Sequence, residues 1–473
     1  MVEWPALSVI ASRVQSGQLK AVDLVAKSLQ AITDKREYQA IISTVTDRAK
    51  QRASQIDEKV KNGLSVGPLA GVPFIAKDNF LTFGGETTAA SNILRGFKAP
   101  YQASAVEKLE DAGAVCVAKA NLDAFAHGSS TENSDWFVTK NPHDKTRVPG
   151  GSSGGSTAAV ILDLAPFALG TDTGGSIRLP ASFCGAVGLK PTYGLVSRSG
   201  VVAMASSTDV IGPLTRTVED AALVLDVMSG FDQLDSTMIE RDNNPYTNLD
   251  TKIEGKKIGV VKEYMAEGLE PGVRVQIESA IDKFKKAGAQ VTEVSLPSLP
   301  LALATYYIVC PAEVSSNLAR YDGQRYGHSS KNAKDLDESY ELSREEGFGL
   351  EAKRRIMIGT HVLSSGYYDA YYKKAQTVRT KIINEFHQAF TGYDFLIGPT
   401  APMVAFKIGE RTDDPLKMYL TDIITVAANM AGIPAISIPA GKSQGLPVGL
   451  QLIAPQRADR ALLGIAKAFE ELA

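Results

Sequence analysis

The chain contains 473 residues, of which 44% are hydrophobic and 22% are charged, and its formal net charge is −3. This composition predicts a folded globular protein with a sizeable core and argues against intrinsic disorder. The chain also lacks the strongly basic balance of a protein that binds nucleic acid unaided. Any RNA partner would therefore be held mainly through another chain.

The three cysteines, Cys116, Cys184 and Cys310, are widely separated in the sequence. They form no CxxC pair and no Cys/His cluster with zinc spacing, so the sequence predicts buried thiols and no metal site. The segment 1–5 has no signal-peptide character, and the strongest apolar run, 158–169, is too short to span a bilayer. These features predict a cytoplasmic protein that does not enter a membrane.

The first third of the chain alternates between helical and strand patterns. Strands that alternate with helices indicate an α/β sheet covered by helices on both faces. In chain order, the pattern predicts helices over 7–14 and 22–32, a strand over 72–76 that ends at Lys77, a helix over 105–112 stopped by Gly113, and a strand over 114–118.

The rest of the chain continues this alternation without an internal repeat. Thr217 and Asp220 form a capping-box-like helix start, and Gly230 is a plausible stop for that helix. The further predicted elements are a helix over 155–164, a strand over 257–261, a long charged helical stretch over 312–390, strands over 435–438 and 449–453, and a final helix from 458.

We predict a single domain over residues 1–473. Its predicted parts are a helical N-terminal region over 1–60, a core over 61–230, a polar surface excursion over 231–256, and the remainder of the sheet with the substrate pocket over 257–473.

Two glycine-rich loops, 150–156 and 170–176, enclose the predicted helix at 155–164. The second loop runs into Ser176, which can start a helix and would then lie among unpaired backbone N–H groups. Such a loop suits an oxyanion hole, because glycine lets the backbone approach a ligand closely. Tight structural turns or a phosphate-binding loop would use the same residues, although Ser156 stands where a P-loop would carry its lysine.

A serine nucleophile requires a base. None of the five histidines lies in a G-x-S-x-G context, which argues only weakly against a histidine base. Lys77 is a second candidate, since a desolvated lysine can accept a proton near neutral pH. A strand-end lysine that extends its amine to solvent is the alternative interpretation of Lys77.

Three ordered motifs, 71–78, 150–156 and 170–178, resemble those of the amidase signature family. The resemblance implies a large mixed sheet and a Ser-Ser-Lys triad. In that family the lysine is the base, the first serine of the pair follows a cis peptide bond, and the serine of the second loop is acylated. The matching residues are the base Lys77, the bridging Ser152 and the nucleophile Ser176, with the backbone N–H groups of Thr173, Gly174, Gly175 and Ser176 as the oxyanion hole.

Further segments resemble the branch of A subunits in tRNA-dependent Glu/Asp amidotransferases. In that branch an arginine and an aspartate hold the α-carboxylate and α-ammonium of glutamine. By position, the arginine is Arg355, with Arg354 as the alternative, and the aspartate is Asp422. The resemblance also implies that Tyr306 lines the pocket. The segments are 128–134, 190–194, 209–220, 344–349, 353–357, 364–372, 418–419 and 422–423.

The resemblance implies glutamine hydrolysis that supplies ammonia for Glu-tRNA(Gln), Asp-tRNA(Asn) or both. It also implies partner B and C subunits, tRNA contacts mainly through the B subunit, and ATP and Mg²⁺ in a partner, with no cofactor in this chain. A free-standing amidase acting on another small amide is the nearest alternative. A non-enzymatic scaffold subunit is a further alternative, and the intact Lys77, Ser152 and Ser176 argue against it.

Overall fold

The computed structural model describes residues 4–472, and strands from the full length of this part form one sheet. Residues 1–3 and residue 473 lie outside the described residues. All four belong to the predicted single domain over 1–473, and residues 1–3 also belong to the segment 1–5. The eleven strands of the described part are β1 (Ile41–Thr44), β2 (Pro73–Lys77), β3 (Val115–Ala120), β4 (Phe167–Asp172), β5 (Val187–Lys190), β6 (Val210–Thr215), β7 (Lys257–Val261), β8 (Gln290–Val294), β9 (Phe395–Pro399), β10 (Ala435–Ser443) and β11 (Leu446–Ile453).

Helices occupy most of the connections between these strands. Within residues 4–472 the α-helices are α1 (Leu7–Gln15), α2 (Ala21–Asp34), α3 (Thr46–Lys61), α4 (Ser104–Asp111), α5 (Gly154–Ile161), α6 (Arg178–Cys184), α7 (Val218–Met228), α8 (Pro271–Lys286), α9 (Ala302–Asn317), α10 (Leu336–Gly347), α11 (Leu350–Leu363), α12 (Lys374–Ala389), α13 (Pro415–Tyr419), α14 (Val426–Met430) and α15 (Asp459–Leu472).

The sheet is mixed, with the strand order β1-β3-β2-β4-β6-β5-β10-β11-β9-β7-β8. Strands β3, β2 and β4 run parallel, as do β9, β7 and β8, while the strands between β4 and β9 pair antiparallel. Successive strand residues point to opposite faces. Leu396 and Ile397 accordingly enter two different buried clusters, so helices cover both faces, and the predicted fold class is confirmed.

Most of the predicted elements are present. The two N-terminal helices, β2, α4, β3 and the helix capped by the Thr217 hydroxyl are confirmed. The region 1–60 also supplies β1, which the sequence pattern did not predict. The single helical stretch over 312–390 is wrong: helix α9 begins at Ala302, and residues 321–335 contain no helix.

The parallel pairing of β2 and β4 brings two functional segments together. Ala76 lies opposite Leu169 in this pair, so the carboxyl ends of both strands meet at one edge of the sheet. Lys77 is the last residue of β2, and Asp172 is the last residue of β4. Open α/β sheets bind ligands at such edges. In the described part of the chain, no helix is both long enough and apolar enough to cross a membrane.

Candidate active site

Lys77 lies at the centre of a buried cluster of hydroxyl groups. Its side chain is fully buried. Its Nζ donates hydrogen bonds to Ser152 Oγ at 2.8 Å, to Ser153 Oγ at 2.9 Å and to Thr171 Oγ1 at 2.8 Å. Strand β2 supplies the lysine, the first glycine-rich loop supplies the two serines, and β4 supplies the threonine. The alternative of a lysine that extends to solvent is therefore wrong.

The amine of Lys77 is easily deprotonated in this environment. Burial lowers its pKa to about 7, against the opposing effect of three carboxylates nearby, Asp123, Asp172 and Asp209. Desolvation penalises the charged ammonium more than the neutral amine, which explains the direction of this shift. A lysine with a pKa near 7 is half neutral at physiological pH and can act as a general base.

The two candidate catalytic serines lie on adjoining loops. The peptide bond between Gly151 and Ser152 is cis. The backbone N–H of Ser153 donates to the carbonyl oxygen of Ser176 at 3.1 Å, which ties the first loop to the second. Ser176 is 7% exposed, and within residues 4–472 its hydroxyl makes no hydrogen bond, so it remains available to a ligand.

The second loop presents backbone donors beside Ser176. The N–H groups of Gly174, Gly175 and Ser176 donate no hydrogen bond to any residue of the described part. A Cβ at Gly174 would lie 2.8 Å from the Tyr306 ring, and one at Gly175, where φ is 143°, would lie 2.2 Å from Thr425 Oγ1. Only glycine fits these two positions without displacing a neighbour, which explains why both are glycine.

A buried ion pair fixes the second loop. Arg178 and Asp172 are both fully buried and join through two hydrogen bonds, Nε to Oδ2 at 3.0 Å and Nη2 to Oδ1 at 2.9 Å. The guanidinium also donates to the carbonyl oxygen of Thr425, to Asn429 Oδ1 and to Gln451 Oε1. Burial would raise the pKa of Asp172, but the Arg178 charge holds it at about 2. Asp172 is therefore an anion that positions the loop.

A second group of polar side chains lies around Arg355 on α11. Arg355 is 2% exposed, and its Nε donates to Glu351 Oε1 at 2.8 Å. Its guanidinium lies over the rings of Tyr307 and Tyr419, 5.3 and 5.8 Å from their centroids. Its Nη1 has no hydrogen-bond partner in the described structure. Arg354 also pairs with Glu351, but its side chain is 35% exposed.

Asp422 lies close to this group. It is 9% exposed and accepts a hydrogen bond from Ser129 Oγ at 2.6 Å. Burial raises its pKa to about 7, while Ser129 and Arg355 oppose that shift. Tyr306, which contacts Gly174, is buried and packs edge-on against Tyr307 at 5.1 Å. Tyr306 therefore lies between the glycine loop and the Arg355 group.

Two cavities flank these residues. A cavity of about 190 Å³ is lined by Thr171, Thr173 and Asp209 among others. A smaller cavity of about 60 Å³ is lined by Ser129, Arg355 and the two stacked tyrosines, Tyr307 and Tyr419. Burial raises the pKa of Asp209 to about 6.

Metal-ligating side chains are not grouped in the described residues. Within 4–472, no set of three or more His, Cys, Asp or Glu side chains is arranged to hold a metal ion. Cys116, Cys184 and Cys310 are buried and unpaired, as predicted, and burial raises their thiol pKa values.

Sequence reasoning missed several members of this site. Thr171 and Asp172 lie inside a recognised motif, but their hydrogen bonds could not be inferred from it. Glu351 precedes Arg355 by four residues, and this spacing on a helix indicates an ion pair. Ser129 lies in the segment 128–134, but the resemblance assigns that residue no role. Nothing local indicates that Tyr307 belongs to the site, because packing of distant segments brings it there.

The chain is similar throughout its length to known amidases. The sequence profile of the Amidase family matches residues 23–463. The chain is 56% identical to the A subunit of the glutamyl-tRNA(Gln) amidotransferase of Caldanaerobacter subterraneus subsp. tengcongensis, over 91% of this chain and 88% of that one. It is 51% identical to the protein of the same name from Geobacillus thermodenitrificans, over 98% and 96%.

Solved structures extend this similarity. The A subunit of the glutamyl-tRNA(Gln) amidotransferase of Thermotoga maritima superposes with a TM-score of 0.82 and 42% identity, covering 100% of this chain and 96% of that one. The peptide amidase of Stenotrophomonas maltophilia superposes with a TM-score of 0.83 and 31% identity, covering 98% and 96%.

Proposed function

The chain belongs to the Amidase family and is a serine amidohydrolase, and we propose that it hydrolyses glutamine as the A subunit of a tRNA-dependent amidotransferase. The observation that carries this proposal is the buried Lys77, hydrogen-bonded to Ser152 beside the glycine loop of Ser176. The relatives that are 51–56% identical and carry the name of that subunit support the same conclusion.

In the proposed reaction, neutral Lys77 accepts a proton from Ser152 while Ser152 takes one from Ser176. The Oγ of Ser176 then attacks the carbon of the side-chain amide. Negative charge develops on the amide oxygen, where the N–H groups of Thr173, Gly174, Gly175 and Ser176 stabilise it. One donor of this kind is typically worth about 3–4 kcal/mol of barrier.

The second half of the reaction reverses these proton transfers. The carbon–nitrogen bond breaks, the nitrogen takes back the proton through Ser152, and ammonia leaves. Water then attacks the γ-glutamyl ester on Ser176, and Lys77 again accepts the proton through Ser152. The bond from the ester carbon to Ser176 Oγ breaks, the proton returns to that oxygen, and glutamate is released. Atoms and charges balance without a cofactor in this chain.

Arg355 and Asp422 are proposed to hold the amino-acid end of glutamine. The zwitterionic headgroup carries a carboxylate and an ammonium, which match a guanidinium and a carboxylate. Burial of Arg355 and its unpartnered Nη1 favour it over the more exposed Arg354. Tyr306 would line the pocket between this end and the glycine loop.

The ammonia is proposed to pass to a B subunit that binds ATP, Mg²⁺ and most of the tRNA, in a complex completed by a C subunit. The small net charge of this chain fits a complex in which another subunit contacts the phosphates of the tRNA. A cytoplasmic location, where translation occurs, follows from this role.

The test measures ammonia release from glutamine by the purified chain, alone and with its B and C subunits, ATP and misacylated tRNA. Ser176→Ala should abolish release, and Ser152→Ala and Lys77→Ala should each cost several orders of magnitude, because the three act as one unit. Ser156→Ala is the matched control within the same loop and should lose far less, because its hydroxyl donates to the carbonyl oxygen of Leu169 and to no member of the triad. Near wild-type activity in the Ser176→Ala protein would refute the proposal.

The same experiment distinguishes an amidotransferase subunit from a free-standing amidase. The similarity to a peptide amidase makes the free-standing enzyme the second candidate. The A subunit of an amidotransferase should co-purify with two other chains and release ammonia faster in their presence. A stable homodimer that is fully active and indifferent to tRNA would indicate the free-standing enzyme.

A further inference from the structure

Three side chains donate hydrogen bonds to Glu351, on the side of the candidate site where the substrate headgroup is proposed to bind. Its Oε1 accepts from Arg355 Nε at 2.8 Å and from Tyr419 Oη at 2.9 Å, and its Oε2 pairs with Arg354 Nη1. The side chain of Glu351 is 9% exposed. Charge-assisted hydrogen bonds of this kind are stronger than neutral ones. Glu351 therefore places one negative charge against two positive charges.

The charges around the cavity of about 60 Å³ beside Glu351, here called the headgroup cavity, are balanced. Three arginines and two glutamates line it: Arg354, Arg355, Arg411, Glu132 and Glu351. A third carboxylate adjoins the wall, because Ser129 lines the same cavity and donates to Asp422 Oδ2 at 2.6 Å. These three guanidinium groups and three carboxylates give the headgroup cavity no net charge.

Glu351 is the carboxylate on which this balance depends most directly. Glu132 accepts a hydrogen bond from the backbone N–H of Gly409 at 2.7 Å, and Asp422 is the proposed partner of the substrate ammonium. Of the three carboxylates, only Glu351 is paired with arginines of the cavity within residues 4–472. Without it, the two adjacent guanidinium groups would leave one positive charge uncompensated in a partly enclosed site, where charges interact more strongly than in water.

The charge of the cavity affects which headgroup it accepts. A zwitterion has no net charge, so it can bind without unbalancing a neutral cavity. An amide with only a carboxylate brings an extra negative charge, and one with only an ammonium brings an extra positive charge. Specificity is a difference between binding free energies, and uncompensated charge raises the free energy of the wrong complex. If residue 351 were neutral, the cavity would carry one positive charge, which attracts anions and repels cations.

We propose that Glu351 is a specificity-determining residue, whose carboxylate balances Arg354 and Arg355 so that the headgroup cavity prefers a zwitterion to an anion or a cation of the same length. The inference rests on the proposed function, which places the substrate headgroup in this cavity. It adds a reason for the selection of an amino acid over a dicarboxylic acid monoamide. The hydrogen bonds of Glu351 involve none of the three triad residues, so it acts on binding rather than on the chemical step.

The experiment compares kcat/KM within two pairs of amides that differ only in the charges at their far end. Glutamine carries both charges and glutaric acid monoamide only the carboxylate; 4-aminobutanamide carries only the ammonium and butanamide neither. In Glu351→Gln we expect the monoamide to gain about tenfold relative to glutamine, because both use Arg355 and only the monoamide is an anion. We expect 4-aminobutanamide to lose about tenfold relative to butanamide, because neither uses Arg355 and only the first is a cation.

Matched variants separate charge from other effects. Glu351→Asp keeps the charge and should keep both ratios within about threefold of their wild-type values. Arg354→Gln combined with Glu351→Gln restores the balance and should return both ratios most of the way to the wild type. Glu345→Gln changes an exposed glutamate on α10, outside the cavity, and should alter neither ratio. Unchanged ratios in Glu351→Gln, an equal change on all four amides, or a shift that the double variant does not reverse would overturn the inference.

A substitution at another position covers the case in which the Glu351 variants do not fold. Arg354→Gln removes one positive charge from the same wall at a side chain that is 35% exposed. The cavity then carries one negative charge, so both ratios should shift at least about threefold in the opposite direction, a smaller effect because solvent screens the more exposed charge. Unchanged ratios in Arg354→Gln would overturn the inference. The proposed function is judged separately, by whether the wild-type protein prefers glutamine to butanamide, and the shifts between variants can be measured in either case.

Discussion

The pH dependence of glutamine hydrolysis should report two buried groups that must both be deprotonated. Lys77 must be neutral to accept a proton, and Asp422 must be ionised to bind the substrate ammonium. Burial places the pKa of each at about 7. Both groups are in the required form above pH 7 and lose it as the pH falls. Activity should therefore rise with pH through neutrality.

The size of the effect follows from the two pKa values. At pH 6 each group is in its active form about a tenth of the time, so kcat/KM should fall to about a hundredth of its alkaline limit. At saturating glutamine the ammonium holds Asp422 ionised, and kcat should follow Lys77 alone, falling to about a tenth. Plotted logarithmically against pH, kcat/KM should approach a slope of about 2 and kcat a slope of about 1.

Steady-state kinetics between pH 6 and pH 9 provides the assay. Burial raises the pKa values of Asp123 and Asp209 to about 6, so these two carboxyl groups are about half ionised at pH 6 and mostly ionised above pH 7. Asp422→Asn should reduce the slope of kcat/KM to about 1. The wild-type protein should show the same slope with glutaric acid monoamide, which lacks the ammonium that Asp422 would bind. A profile that is flat from pH 6 to pH 8, or identical slopes for kcat and kcat/KM in the wild-type protein, would refute the reasoning.

Three substitutions test other parts of the structure. Gly175→Ala should lower kcat at least about a hundredfold, because its Cβ would collide with Thr425 and displace the loop donors; near-normal kcat would contradict this. Arg178→Leu should reduce the free energy of unfolding by about 3–5 kcal/mol in urea denaturation, since it leaves Asp172 buried and unpaired; an unchanged midpoint would argue against the network. Arg355→Lys should raise KM for glutamine about tenfold or more by losing the fork geometry, while Arg354→Lys, its matched control, should change KM less than about twofold; a larger effect at Arg354 than at Arg355 would exchange their roles.

The sequence was sufficient to locate the residues whose chemistry depends on local geometry. Lys77 ends an apolar strand, and the glycines before Ser176 mark a loop with free backbone donors; both properties depend on a few neighbouring residues. Strands β2 and β3 were recognisable because each is a continuous apolar run. Strand β1 was not, since its Ile-Ile-Ser-Thr sequence lies between two helical segments and pairs with a strand more than seventy residues away.

The remaining site residues depend on long-range packing. Arg178 is completely buried because Asn429 and Gln451 reach it from the far end of the chain. The helices around Arg355 were predicted as one stretch because charge and helical propensity are similar throughout it, whereas the breaks depend on tertiary contacts.

The contacts of Arg178 also constrain when the active site can be completed during synthesis. Its acceptors Asn429 and Gln451 follow it in the chain by 251 and 273 residues. In a nascent chain that still lacks these two residues, the Arg178 guanidinium lies beside the catalytic loop without two of its acceptors. We expect ribosome-bound chains stalled before residue 429 to release no ammonia from glutamine, and chains stalled well beyond residue 451 to do so. Activity in the shorter chains would disprove this, whereas its absence would mean that hydrolysis begins only after residues 429 and 451 have joined the fold.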